Sequence, residues 1–244
     1  MATMTVPRTR VHLHPVRLRL GLILAIAILA GSNLVSNRVL TGLAYVPWNL
    51  AVAALLIVVA RRCGLSWADL GLQNRRLRKG LLVGAVAASL VVLIYTIGWA
   101  LPATRSAFAD QRAAGSVQTL LFAALIQIPL GTVLLEEIAF RGVLPALFGG
   151  ERFWPTALAS SALFGLWHVL PSFGVTAANA AMGATIGGIG LLAQTVLVVL
   201  AMTGAGMLLM VYRRWGGHLV SPMIAHVATN SLGVLIAWLV ITHT

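Results

Sequence analysis

Glu136 and Glu137 stand side by side within the apolar run Leu120 to Leu147, and they are two of only five acidic residues in a chain of 244. A carboxylate near the centre of a bilayer costs roughly 2.5 to 3.5 kcal/mol on insertion scales, so a pair of them there points to chemistry. Arg141 follows Glu137 by four residues. On a helix that spacing puts both on one face with the acid towards the N-terminus, the favourable order for an ion pair. Glu136 is turned about 100° away and addresses a different neighbour. His168, which ends Phe164-x-x-x-His168, and the pair His226 and Asn230, again four apart, are the other candidates among polar residues in apolar surroundings. A carboxylate with imidazoles can activate water by general acid–base catalysis, and Asn or neutral His can donate to a developing oxyanion.

The elements that must position these residues are helices in a membrane. Hydrophobic residues make up 59% of the chain and charged ones 9%, with apolar stretches of span length recurring from end to end. Spans are predicted over Leu18 to Ser36, Leu43 to Ala60, Gly80 to Leu101, Val117 to Leu147, Pro155 to Leu170, Ile189 to Tyr212 and Val220 to Ile241. The expected fold is therefore all-α, a polytopic transmembrane bundle of about seven spans within a range of six to eight. No linker, low-complexity tract or repeat period divides it, so one integral membrane domain over residues 1–244 is expected, with a motif-bearing core at about 117–241.

The formal charge of +12 does not indicate a nucleic-acid partner, because the basic residues lie at the ends of apolar runs and are not interleaved with aromatics. With the N-terminus in the cytoplasm, thirteen of them, including Arg61, Arg62, Arg75 to Lys79, Arg213 and Arg214, fall inside. Only Arg38, Arg105 and Arg112 fall outside. That asymmetry predicts a multi-pass protein of the cell membrane with an external C-terminus. Trp99, Trp154, Trp215 and Trp238 fall near predicted interfaces, whereas Trp167 does not. The first apolar stretch, with Ala30-Gly31-Ser32, is read as a span and not a cleavable signal because it is long enough to cross. The single Cys63 excludes an intramolecular disulfide.

Val117 to Leu147 would run about 46 Å as a straight helix, well beyond a hydrocarbon core of about 30 Å. Pro129 is expected to kink it above the Glu pair. Counted from the cytoplasmic side, Glu136 lies about 16 Å deep and His168 about 20 Å deep, close enough in level to meet. Each residue also has a plain reading: an interhelical hydrogen bond for His168, His226 or Asn230, and a buried ion pair for the glutamates. His12, His14, His218 and His243, with Asp69, Asp110 and Glu151, are read as loop or tail residues in solvent.

Three segments carry a family resemblance: Glu136-Glu137-Ile138-Ala139-Phe140-Arg141-Gly142, Ser160-Ser161-Ala162-Leu163-Phe164-Gly165-Leu166-Trp167-His168, and His226-Val227-Ala228-Thr229-Asn230. In this order and separation the chain resembles the CAAX-processing and bacteriocin-processing (CPBP) intramembrane proteases, which include the type II CAAX prenyl endopeptidases. The first 115 residues match only as generic membrane helices. The resemblance implies peptide-bond hydrolysis at a cavity open towards the cytoplasm. Glu136 and His168 would activate water and His226 and Asn230 would bind the oxyanion, with Glu137, Arg141 and Phe164 in support. A zinc site built from Glu136, His168 and His226 is the alternative. It is disfavoured because no His-Glu-x-x-His helix is present and Asn230 is a poor zinc ligand, so no cofactor is expected. A proton-coupled transporter should show two corresponding halves, and the motifs occur once each. A non-catalytic membrane partner or immunity protein on the same fold is the other alternative. The expected partners are the bilayer and a hydrophobic or lipidated peptide.

Overall fold

The computed structural model describes residues 15–40, 42–149 and 152–243. Seven principal helices follow in order: α1 Pro15–Arg38, α2 Tyr45–Arg62, α3 Leu77–Ala100, α4 Val117–Leu147, α5 Phe153–Trp167, α6 Leu191–Gly216 and α7 Val220–His243. No strand occurs among the described residues; Asp110 and Asn179 form one isolated bridge. Every principal helix except α5 is long and apolar enough to cross a membrane, and the chain is a multi-pass membrane protein. Large apolar side chains such as Leu82, Leu125 and Leu200 face outward, a surface suited to lipid and not to water.

The fifth predicted span departs from the others. Helix α5 has 15 residues, about 22 Å of rise, and falls short of the hydrocarbon thickness. Pro171 bars continuation of the helix, and Gly174, at φ +86°, turns the chain away. Residues 168–190 complete the passage to α6 through the short helices Val175–Ala178 and Ala180–Ile186. Asn179 ties this segment to the loop between α3 and α4, its amide donating to the Ala107 carbonyl at 2.9 Å.

Helix α7 packs chiefly on α3, and α5 on α6. A Cβ on Gly80 would sit 2.7 Å from Val220 and 2.8 Å from His218, and one on Gly84 would sit 2.9 Å from Ile224. The Gly80-x-x-x-Gly84 pair is thus the floor of the α3–α7 contact within one chain. That close approach also corrects the reading of His218, which is buried and not solvated. Its Nδ1 accepts the Val220 N–H at 3.0 Å, and burial, with the nearby Arg213 charge, holds it below the usual histidine range. Asp69 bonds Ser66 in an exposed turn, Asp110 pairs with Arg112, and His243 is exposed; His12, His14 and Glu151 lie outside the described residues.

Pro129 lies in a stretch of α4 that is π-helical. Residues Ala123–Val133 and Ile138–Val143 adopt π-helical turns, closed by i→i+5 bonds, on either side of one α turn, Leu134–Glu137. In that register Pro129 and Pro145, lacking N–H groups, leave the carbonyls five residues back without donors, those of Ala124 and Phe140. Neighbouring helices supply them. Ser231 Oγ of α7 donates to the Ala124 carbonyl at 2.7 Å, and Ser160 Oγ of α5 to the Phe140 carbonyl at 2.5 Å. Both serines are buried. The turn carrying Glu136 and Glu137 is therefore pinned above and below to the helices that carry His226 and His168.

Candidate active site

Glu137, fully buried, meets two partners through one oxygen. Arg141 lies 3.1 Å away and His226 Nδ1 2.7 Å away. A carboxylate can only accept, so His226 donates from Nδ1, and its Nε2, on the other side of the ring, lies 3.7 Å from Glu136 Oε2. The ion pair expected from the i,i+4 spacing is present, and His226 joins the two adjacent carboxylates across α7.

Glu136 is 4% exposed and, as its place on the helix suggested, addresses a different neighbour. The Trp167 indole N–H donates to its Oε1 at 2.9 Å, whereas Oε2 has no hydrogen-bond partner. Trp167, the one tryptophan singled out as lying off the interfaces, is thus a site residue that sequence reasoning did not assign. Phe164 forms the hub. Its ring packs edge-on against Phe140 and His168, with centroids 5.3 and 4.4 Å away, and against His226 at 6.0 Å, while the Arg141 guanidinium stacks 4.0 Å above it. The Arg141 charge is thus stabilised electrostatically by an aromatic face as well as by Glu137.

His168 terminates α5. Its Nδ1 donates to the Phe164 carbonyl at 2.8 Å, which fixes the tautomer with the lone pair on Nε2. It shares the Phe164 ring with the other site residues but makes no hydrogen bond to Glu136. Asn230 lies one turn beyond His226 on α7, half-buried, and its amide bonds none of the described residues. Arg141, His168 and His226 therefore pack around the Phe164 ring, Glu137 pairs with Arg141 and His226, Glu136 Oε2 lies 3.7 Å from His226, and Asn230 is one turn away.

A helix end within the membrane must have its last carbonyls satisfied. The carbonyl of Trp167 accepts from Asn33 Nδ2 of α1 at 3.0 Å, and Asn37 donates to the Asn33 side-chain oxygen at 2.6 Å. Asn33 thereby anchors the residue that holds Glu136. Asn33→Leu is expected to strand a buried carbonyl and lower stability by about 1 to 3 kcal/mol. Thermal melting in detergent reads this; an unchanged melting temperature would mean that water can replace the amide.

No curated protein and no solved structure matches the chain at a significant level. A family model does match, over residues 117–232, from the first turn of α4 to just beyond Asn230, and it includes every charged and imidazole group just described. Asn33 and all of α1 to α3 lie outside that match. The matching model is that of the type II CAAX prenyl endopeptidase Rce1-like family, and over residues 117–232 the chain is similar to it.

Proposed function

We propose that this domain hydrolyses a peptide bond of a hydrophobic or lipid-anchored substrate inside the membrane, with water activated by Glu136 and His168. The observation that carries the reading is a buried carboxyl group beyond the one that pairs with the buried cation. One guanidinium needs one carboxylate, and Glu137 supplies it; Glu136, with Oε2 unpartnered beside His226, is not needed for that pair. In the proposed step Glu136 takes a proton from water as the oxygen attacks the carbonyl carbon, and returns it to the amine as the C–N bond breaks. His168, with its lone pair on Nε2, orients the water. Asn230 donates to the oxyanion whatever the charge state of its neighbours, whereas His226, its Nδ1–H given to Glu137, donates from Nε2 only as the imidazolium.

We favour a metal-free reading of the site. Among the described residues no group of three or more of His, Cys, Asp and Glu is placed to hold a metal ion. Arg141 also brings a positive charge against Glu137 where a cation would compete. The charge split between the two ends of the bundle supports a cytoplasmic N-terminus.

Purified protein is expected to cleave membrane-tethered peptides and to keep its rate after exhaustive chelation. Peptides with and without a prenylated cysteine near the C-terminus establish the substrate class. Proton-coupled uptake in vesicles without cleavage would make the protein a transporter. Loss of activity on chelation, restored by stoichiometric zinc, would make Glu136, His168 and His226 ligands.

A further inference from the structure

A cavity of about 620 Å³ opens at the end of the bundle that carries Arg38 and Arg112, opposite the basic clusters; Ser36, Tyr45, Gln118, Thr119, Phe122 and Gln127 line it. Three observations connect it to the carboxylates. First, Gln127 lies on α4 one turn before Thr132, which meets Tyr45 at the start of α2, and its amide bonds no described residue. A half-buried primary amide without a protein partner calls for water. Second, the π turns of Ala123–Val133 bring residues five apart towards one face, so Phe122, Gln127 and Thr132 follow one another down the helix. In a regular α-helix, at 3.6 residues per turn, five positions rotate a side chain about 140° away. Third, the deep wall is Tyr45, whose hydroxyl lies 3.3 Å from Thr132 Oγ1. Thr132 is four residues before Glu136 on the same helix.

We propose that this cavity is a hydrated inlet that delivers water to Glu136 from the end of the bundle away from the basic clusters, with the Tyr45–Thr132 contact at its inner end. The proposal rests on Glu136 acting on water. It gives the π-helical stretch a purpose, alignment of a polar stripe that an α-helix would scatter. It also separates the two reactants, since an apolar substrate filling the site from one side would exclude bulk water, and hydrolysis consumes one water per bond.

The test uses single-cysteine variants of the full chain in a Cys63→Ser background, where Ser keeps the hydrogen bond that Cys63 gives to the Arg17 carbonyl. Gln127→Cys faces the inlet, and Leu125→Cys, two residues away and 64% exposed, faces lipid at the same depth. Charged methanethiosulfonates need a hydrated thiolate, so Gln127→Cys is expected to react at least about tenfold faster than Leu125→Cys. A bulky adduct at 127 is expected to remove most of the cleavage rate, each variant being compared with its own unmodified form, while a methylthio adduct leaves most of it. Equal labelling rates would show a dry, lipid-filled cavity and overturn the proposal. Fast labelling with no loss of rate from the bulky adduct would overturn it too, since water would then reach Glu136 another way. Full cleavage by Glu136→Gln would instead remove the catalytic reading, and the labelling contrast is read independently of it.

Discussion

Glu136→Gln is expected to leave the fold intact and to cut turnover by about 10² to 10⁴, the usual range for removing a general base. That factor corresponds to about 2.7 to 5.4 kcal/mol in the barrier. The substitution is isosteric. The Gln carbonyl still accepts the Trp167 indole N–H that Oε1 accepts at 2.9 Å, and its amide replaces an oxygen that has no hydrogen-bond partner. Nothing in the packing is lost, so only the proton acceptor is removed. The melting temperature in detergent and the cleavage rate per folded molecule separate the two effects. A rate per folded molecule equal to that of the unaltered protein would show that Glu136 is one more buried structural acid, and the activation of water would pass to another group.

Much of this was legible in the chain because it is local. Apolar runs bounded by arginines predict the spans, and Glu137–Arg141 follows from helical spacing alone. The i,i+4 relation between Phe164 and His168 likewise puts both rings on one face, and the structure places them 4.4 Å apart. What the sequence does not reveal is set by partners distant along the chain. Trp167 reaches Glu136 across 31 positions and Asn33 reaches Trp167 across 134. A signal for Asn33 existed, since Asn33 and Asn37 are four apart in an otherwise apolar run, but Gly31-Ser32 beside them also suits a processing site. Pro129 announced a break in α4 without saying which kind. Widening to π turns is stable because Ser231 and Ser160 answer the carbonyls it frees, and neither serine can be linked to its carbonyl before the packing of α5 and α7 is known. His218 is buried because Gly80 lets α7 settle against α3, again a property of two helices and not of one loop.

Glu137→Gln is expected to do what Glu136→Gln does not, and destabilise the protein by about 3 to 5 kcal/mol, the cost of leaving one member of a buried pair alone. Arg141 is 2% exposed, and among described residues Glu137 is the carboxylate within ion-pair distance of it. Its Nη1 and Nη2 have no hydrogen-bond partner among the described residues, so the stacking on Phe164 is the main interaction left to an unpaired guanidinium. Adding Arg141→Met should recover a large part of the loss, because the double variant buries no net charge and a linear apolar chain can lie over the Phe164 ring where the guanidinium lay. Activity should not recover in parallel. The 2.7 Å bond from His226 Nδ1 to Glu137 fixes which nitrogen faces Glu136, and a Gln side chain at 137 can present an N–H where the carboxylate only accepts. Stability restored with turnover still depressed would therefore identify Glu137 as the residue that orients His226 as well as the counter-ion of Arg141. Recovery of both together would reduce its role to charge balance. Equal destabilisation by the Glu136 and Glu137 single variants, with activity tracking the folded fraction, would make both carboxylates structural.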